Sequence, residues 1–441
     1  MAASSNNHAG FQAPLDYIRT VLSDYLHFSA KDLEQTNIAP VQYDADFPFK
    51  YNNFVYDITL PSDIQPPRDA TQSNQPGCVP IPKDTKHLLM RLSKPEAASM
   101  HPETRVQNEV AMISLASQAL GHFSPSIVPR VFGWGAASHH RLGWILQEFM
   151  PGEALAEPFG ETMSLEQKKD ILTQMTAILK ALQDYPLPEG IRGWGGVSFD
   201  DRGGIISAPM TSVGAGPWPS LQDSYRARIE LALDKADNNP YLQGWRTNGV
   251  RGRIQDFLQR GLPQQFSQLP SKDERAIVHA DFTPDNLLYD PATGRITALL
   301  DYDFSSIQHP AYEFLRSFGT NGGPLTGWSA DPDAAALRSA KLTGQFPSPL
   351  PTSKANANGP AIDWELALAW ETELQRHQVK RPSTIPGVAG LADVDEVLGM
   401  LLPWRLTNED FLRMNQDERQ RKALRRISEE QLASLLEHMG F

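Results

Sequence analysis

The sequence predicts an α+β protein of two lobes, a small β-rich one followed by a large, mainly helical one, on three observations. Up to about Met150, short apolar and aromatic runs of strand type surround a single helical stretch. From Ser164 onward, apolar residues recur mostly at helical spacing. Inside that helical region one segment, Ile277 to Leu300, breaks into two short apolar strands around a turn.

Taken in order, Phe54–Leu60 and Lys86–Leu92 have strand patterning, and Pro102–Ala119 spaces Val106, Val110, Ile113 and Ala116 as a helix. Gly143–Met150 reads as a fourth strand, ended by Pro151-Gly152. Ser164-Leu-Glu-Gln167 is a capping box: the serine and glutamine side chains each satisfy a backbone N–H that the first helical turn leaves unpaired. It opens a helix with apolar residues at 171, 172, 175, 178, 179 and 182. Further amphipathic runs cover 220–236, 249–260, 363–378 and 408–439. The division expected is 1–150 for the β-rich lobe and 151–441 for the helical one. Two irregular stretches, Pro61–Lys86 and Asn321–Pro360, read as an insertion between strands and as a long loop of the kind that serves as a lid.

Composition narrows the function. A net charge of −12 argues against a protein that binds nucleic acid by neutralising phosphates, and is compatible with a small cationic ligand. Cys78 is the only cysteine, so neither an internal disulfide nor a Cys-rich zinc site is expected. Met1–Thr20 lacks the basic-then-apolar pattern of a signal peptide, and no apolar run approaches the ~18 residues of a membrane span. A soluble, cytoplasmic protein is the expectation.

The chemistry-bearing segment is Ile277-Val-His-Ala-Asp-Phe-Thr-Pro-Asp-Asn-Leu-Leu-Tyr289. His279-x-Asp281 is followed by Asn286; then come a strand, the turn Asp290–Gly294, and a second strand that delivers Asp301. Such a hairpin returns Asp301 to the side of Asn286. Phosphoryl transfer spreads charge over oxygens, so a protein catalyses it by positioning the reactants and neutralising that charge. Asp281 can accept the proton of an attacking hydroxyl. Asn286 and Asp301 offer hard oxygen ligands for Mg2+ on the phosphates of ATP. His279 is expected to support the loop by packing and hydrogen bonding.

These residues resemble the aminoglycoside phosphotransferase/choline kinase family, especially its divergent fungal-type members. The family carries His-Gly-Asp-x-x-x-x-Asn, a hairpin, then Ile-Asp-Trp/Phe-Glu/Asp; here stand His279-Ala-Asp281, Asn286 and Leu300-Asp301-Tyr302-Asp303. Its Gly-Asp-Pro-x-x-Asp is matched by Gln308-His309-Pro310-Ala311-Tyr312-Glu313, with Glu313 in place of the Asp that braces the catalytic loop. The resemblance runs from about Phe47 to Arg316. It implies a protein-kinase-like fold and an ATP- and magnesium-dependent transfer of the γ-phosphate to a hydroxyl of a small molecule. A protein kinase would place a long activation segment after the metal-binding Asp; here Pro310–Glu313 comes almost at once after Asp303, leaving no room for a peptide-holding loop.

By the same resemblance, Arg91 stands where the family places a phosphate-holding Lys or Arg, paired with Glu109; an exposed Arg–Glu surface pair is the alternative. Glu148 and Met150 fall at the hinge, where backbone atoms would meet the adenine. Phe49–Tyr56 replaces a glycine-bearing loop, so Lys50, Asn52 and Asn53 are either phosphate contacts or an ordinary turn. Asp303, Trp364 and Trp370 are candidates for the acceptor side, the tryptophans as a cradle for an ammonium group or simply as core. Two other readings keep the fold: a kinase-like module that binds without catalysis, and a biosynthetic enzyme without net phosphate transfer.

Overall fold

The computed structural model describes residues 13–41, 51–61, 75–95, 97, 100–138, 141–325, 332–352, 362–415 and 417–441. Strands β1 (Asn37–Pro40), β2 (Asn53–Thr59), β3 (His87–Ser93), β4 (Val131–Gly135) and β5 (Trp144–Glu148) form an antiparallel sheet in the order β1-β2-β3-β5-β4. Successive side chains of a strand point to opposite faces, and this sheet uses both. Leu88, Met90 and Leu92 of β3 pack with Tyr56, Ile58 and Leu146 in one apolar cluster. The alternate residues Leu89 and Arg91 line a cleft on the other face, together with Val55 and Gln147.

Helix α1 (Ala13–Leu26) covers the apolar face by burying Ile18, Val21, Leu22 and Leu26, and α2 (Ala30–Gln35) leads from it into β1. Neither helix nor β1 was expected from the sequence, although residues 18, 21, 22 and 26 fall on one helical stripe. Tyr25 and Tyr17 of α1 donate hydrogen bonds to the carbonyls of Phe132 (3.0 Å) and Leu142 (2.8 Å), which fixes the helix on the sheet.

Helix α3 (Pro102–Ala119) matches its expected bounds and is buried along most of its length, including Arg105, Asn108 and Glu109. Its polar residues point toward the second half of the chain: Asn108 Nδ2 donates to the Ser305 carbonyl (3.0 Å) and its Oδ1 accepts from Val197 N (2.8 Å).

The second half is helical around three small β elements. A short strand, β6 (Glu153–Ala154), precedes α4 (Leu165–Asp184), which opens with the expected Ser164/Gln167 box. The hairpin β7 (Gly196–Phe199) and β8 (Ile205–Ala208) is followed by α5 (Leu221–Asn238), α6 (Val250–Asp256) and α7 (Leu262–Ser267). Then come β9 (Ala276–Val278), β10 (Leu287–Asp290), β11 (Arg295–Leu299), β12 (Ser306–Gln308) and α8 (Ala311–Arg316). The chain finishes with α9 (Pro332–Thr343), α10 (Trp364–Arg376), α11 (Val388–Leu401), α12 (Trp404–Thr407), α13 (Glu409–Met414) and α14 (Glu418–His438). β10 pairs with β11 and β6, and β12 with β9, all antiparallel. Among the described residues no helix is long and apolar enough to cross a membrane.

Three expectations need correction. The stretch 321–360 is not all loop: α9 buries Leu337 and Ala340, and its Arg338 pairs with Asp393 of α11 at 2.5 Å. The run 408–439 is two helices, because Asn408 and Asp417 each cap a new start. Helix α11, apolar nearly all round, showed no single stripe and was missed. Of the 61–86 insertion, 62–74 lie outside the described residues; beyond them, Gln75 bonds the Trp134 carbonyl at 2.7 Å.

His309, between β12 and α8, is buried with Nδ1 accepting from Ala311 N (3.1 Å) and Nε2 beside Ser271 Oγ (3.0 Å). Burial pushes its pKa from 6.5 down to about 4. The folded-state value is depressed, so the neutral ring contributes stability that is complete above pH 6.5 and lost as pH falls through 4. Urea unfolding at pH 7.5 and 4.5 is expected to show the wild type losing roughly 2 kcal/mol more than His309→Asn between the two.

Candidate active site

β9 is a fully buried strand, so the chain beyond it emerges from the core at a fixed point. His279 comes first, buried, with Nε2 placed to donate to the Leu300 carbonyl at 2.9 Å. Burial lowers its pKa and keeps the ring neutral, consistent with a supporting rather than a proton-transferring part. Ala280 then takes φ 65°, in the left-handed region that costs an L-residue about 1–2 kcal/mol. This explains why glycine suits the position in sequences that have it. Here the conformation is held by Glu313 of α8, whose carboxylate accepts from His279 N (2.7 Å) and Ala280 N (2.9 Å). Ser317 Oγ donates to the same carboxylate (2.5 Å) and accepts from Phe282 N (3.0 Å), so one buried acid and one hydroxyl set the loop.

The sharp turn presents Asp281, half-buried. Asn286 Nδ2 donates to its backbone carbonyl (2.8 Å) and to its Oδ2 (2.9 Å). Burial raises the Asp281 pKa above 3.8, with the Asn286 bond opposing and the Asp301 charge adding. The β10–β11 hairpin closes as the spacing implies: Leu300 N donates to the Asn286 carbonyl at 2.9 Å, which sets Asp301 beside Asn286. Asp301 also has a left-handed backbone, φ 61°, a second point of strain at the same place.

Across the cleft, Arg91 Nη2 meets three carboxylates: Asp301 at 2.9 Å, Glu109 at 3.2 Å and Asp303 at 3.6 Å. Burial opposes the charge on Arg91, but these acids outweigh it and hold the guanidinium protonated. Burial pushes Glu109 up to about 8 against the pull of Arg91. The pair is therefore enclosed, not an exposed surface bridge.

Sequence reasoning missed Arg105, one helical turn before Glu109 and on the same face of α3. It grips Asp303 with two bonds, Nε to Oδ1 (3.0 Å) and Nη2 to Oδ2 (2.6 Å), and also reaches Asn53 Oδ1 (3.0 Å) and the Asn52 carbonyl (3.2 Å). Asn53 Nδ2 closes the ring onto Asp303 at 2.8 Å. Burial alone would raise Asp303, yet Arg105 and Arg91 outweigh it and hold the carboxyl at about 2. Asp303 is thus a buried tie between α3, the β2 entry and the catalytic hairpin, not an acceptor contact. Asn52 and Asn53 line the cleft, with Asn53 committed to this tie; Lys50 lies outside the described residues.

The cleft encloses about 480 Å³. Val41, Val55 and Leu89 form one apolar wall, Ala154, Leu288 and Leu300 the other, and Met150 sits at the connection. Glu148 lines it too, but its carboxylate is tied to Arg130 (2.6 and 2.9 Å). Asn286 and Asp301 reach the same space. Asn286 Oδ1 and Asp301 Oδ2 have no hydrogen-bond partner among the described residues, so two residues lining the same cleft keep hard oxygen donors of the kind suited to magnesium. The tighter acidic group Glu109, Asp301 and Asp303 already has Arg91 as its cation.

The acceptor assignments of the two tryptophans are also corrected. Trp370 is buried, 4.8 Å from the Phe318 ring, and Trp364 is buried edge-on to Phe346 at 6.4 Å. Neither offers an open face to an ammonium group.

Sheet, buried cation–acid pair, cleft and Asp–Asn–hairpin–Asp loop together define a protein-kinase-like fold. The sequence model of the phosphotransferase enzyme family matches residues 82–347, more than half of the chain, and the chain belongs to that family. It is 26% identical over 174 residues to an aminoglycoside 3'-phosphotransferase of Streptomyces ribosidificus, which is 40% of this chain and 51% of that protein. A 41-residue stretch is 42% identical to acyl-CoA dehydrogenase family member 11 of Gallus gallus, 9% of this chain and 5% of that one. The chain thus matches about half the length of one curated relative and a small part of the other. Among solved structures, Plasmodium vivax ethanolamine kinase aligns with TM-score 0.46 and 12% identity, over 95% of this chain and 88% of that one. An ADP-bound aminoglycoside phosphotransferase APH(2'')-Ib aligns with TM-score 0.45 and 11% identity, over 95% and 98%.

Proposed function

We propose that this protein transfers the γ-phosphate of magnesium-bound ATP to a hydroxyl of a small molecule, with Asp281 as the base. The observation that carries the reading is the meeting, at one cleft, of Arg91, paired with buried Glu109, with Asn286 and Asp301, and the bond by which Asn286 holds Asp281 beside them. In this reading residues 1–150 form the nucleotide lobe, and 151–441 bring the catalytic loop and the acceptor side. The apolar walls take the adenine, with the hinge at Glu148–Met150, and Arg91 holds phosphate oxygens. Asn286 and Asp301 hold magnesium, which neutralises phosphate charge when bound. The acceptor oxygen forms its bond to the γ-phosphorus as the bond to the β,γ-bridging oxygen breaks. ADP leaves with that electron pair, and the hydroxyl proton passes to the Asp281 carboxylate. The family membership and the aminoglycoside 3'-phosphotransferase relative support hydroxyl phosphorylation as the reaction class.

The test is ADP formation by purified protein with magnesium-ATP and a metabolite panel, next to a thermal-shift measurement. Acceptor-dependent ADP that disappears with EDTA is expected; no stabilisation at millimolar nucleotide would sink the reading. Asp281 must be ionised to act, and burial raises its pKa. The acid limb of kcat/KM is therefore expected to have its midpoint above pH 3.8, activity falling as pH drops through it.

A further inference from the structure

Alternate side chains of β5 go to different places. Leu146 packs in the apolar cluster beneath α1, whereas Gln147 stands directly opposite Leu89 of β3 in the antiparallel register. Directly opposed residues of two strands share a face, so Gln147 points with Leu89 into the cleft, which both line. Gln147 is 2% exposed; its Oε1 is enclosed without a hydrogen-bond partner, and its Nε2 makes no hydrogen bond among the described residues. Stranding a buried polar atom costs its full desolvation, so a buried amide ordinarily finds partners. Nothing in the sheet asks for a polar residue here, because its register neighbours, Leu89 on β3 and Val131 on β4, are both apolar. An orphaned amide in the wall of an open cleft is a group whose partner arrives with the ligand.

Its place in the cleft says which part of the ligand it meets. The charged groups begin at Arg91, which is two residues along β3 from Leu89, about 7 Å away. On the other side, the chain passes at once from Gln147 into the connection Glu148–Met150, where the Glu148 carboxylate is spent on Arg130. The amide therefore belongs to the base and not to the phosphates. A carboxamide offers one acceptor and one donor side by side. Adenine complements it along its N6/N7 edge, the exocyclic amine donating to Oε1 and N7 accepting from Nε2. Guanine shows two acceptors, O6 and N7, along that edge, so Oε1 would face O6 and stay unpaired. We infer that Gln147 pairs with the N6/N7 edge of the base, leaving the N1 side to the backbone of Glu148–Met150, and so selects adenine over guanine. This rests on the phosphotransferase reading and adds to it the residue that chooses the donor nucleotide.

Calorimetric titration of the full chain with magnesium-ADP, magnesium-GDP and the deaza analogue of ADP that carries C–H in place of N7 tests this without knowledge of the acceptor. Wild type is expected to bind ADP about tenfold or more tighter than GDP, the discrimination of one bidentate pair. It should also bind ADP several-fold tighter than the deaza analogue, which keeps the amine but cannot accept from Nε2. Gln147→Leu removes an unpaired buried amide, so its thermal unfolding midpoint without nucleotide should equal or exceed that of wild type. In that variant the preference for ADP over GDP should fall to within about threefold, and the deaza analogue should bind like ADP. GDP binding as tightly as ADP, a deaza analogue bound as tightly as ADP by wild type, or a folded Gln147→Leu that keeps the wild-type ratios or loses both nucleotides alike overturns the inference. Wild type that binds ADP without preference rejects the inference alone; wild type that binds no nucleotide rejects the phosphotransferase reading and the inference with it.

Discussion

Asp281→Asn is expected to lower turnover by about 10²–10⁴-fold, the usual contribution of a positioned general base. The substitution is nearly isosteric, and its amide oxygen can still accept from Asn286 Nδ2, which bonds Asp281 Oδ2 at 2.9 Å. It also removes a charge that burial disfavours, so the fold should be at least as stable as the wild type. Loss of rate with unchanged magnesium-ADP affinity, followed by ADP release and by calorimetry, is the signature of a lost base. Turnover within about fivefold of wild type would mean that positioning and charge neutralisation carry the reaction without it. A parallel loss of nucleotide binding would instead point to disruption of Asn286 and its neighbour Asp301.

The catalytic hairpin could be read from the sequence because its logic is local. A buried strand, a turn with a short polar stretch, and two strands of matched length leave Asp301 one place to go, beside Asn286. Glu313 was legible for the same reason: it lies beyond the hairpin by a short, fixed path. What escaped was set by distant partners. Arg105 lies on α3, 198 residues from Asp303 in the chain, and nothing in its neighbourhood distinguishes it from an exposed helical arginine. Asp303 stands two residues after Asp301 and so read as another cleft acid, when the pairing with Arg105 turns it inward. Trp364 and Trp370 could be core or cradle on spacing alone; the packing of Phe318 and Phe346 decided for core. Helices α1 and α9 were missed for different reasons. The stripe of α1 was present but lay ahead of the first recognised strand, and α9 sits among prolines and glycines that read as loop.

Arg105→Met is expected to destabilise the protein by about 3–5 kcal/mol, the range for removing one partner of a buried ion pair. The wild-type guanidinium makes two bonds to Asp303 and two more to Asn52 and Asn53, and the substitution leaves that buried carboxylate with Asn53 and the more distant Arg91. The double variant Arg105→Met/Asp303→Leu should regain much of the loss, because the penalty comes chiefly from the stranded charge rather than from the missing attraction. Asp303 is held at about 2 from an ordinary 3.8, a depressed value. Its contribution is therefore complete above pH 3.8 and disappears as pH falls through 2. In Arg105→Met burial raises the carboxyl that Arg105 no longer holds, so the stranded Asp303 takes up its proton at higher pH than in the wild type. The gap between the two proteins in urea unfolding should therefore be widest at alkaline pH, narrow as the variant's Asp303 protonates, and close as pH falls through 2. A gap that stays unchanged into strong acid would assign the effect to another group. Because Arg105 joins the entry of β2 to the hairpin that carries Asp301, the same variant should raise the KM for ATP even where it remains folded. Asp303→Asn, which keeps an acceptor for Arg105, should show the kinetic change with a smaller loss of stability, separating the tie between the two walls of the cleft from the stability it confers.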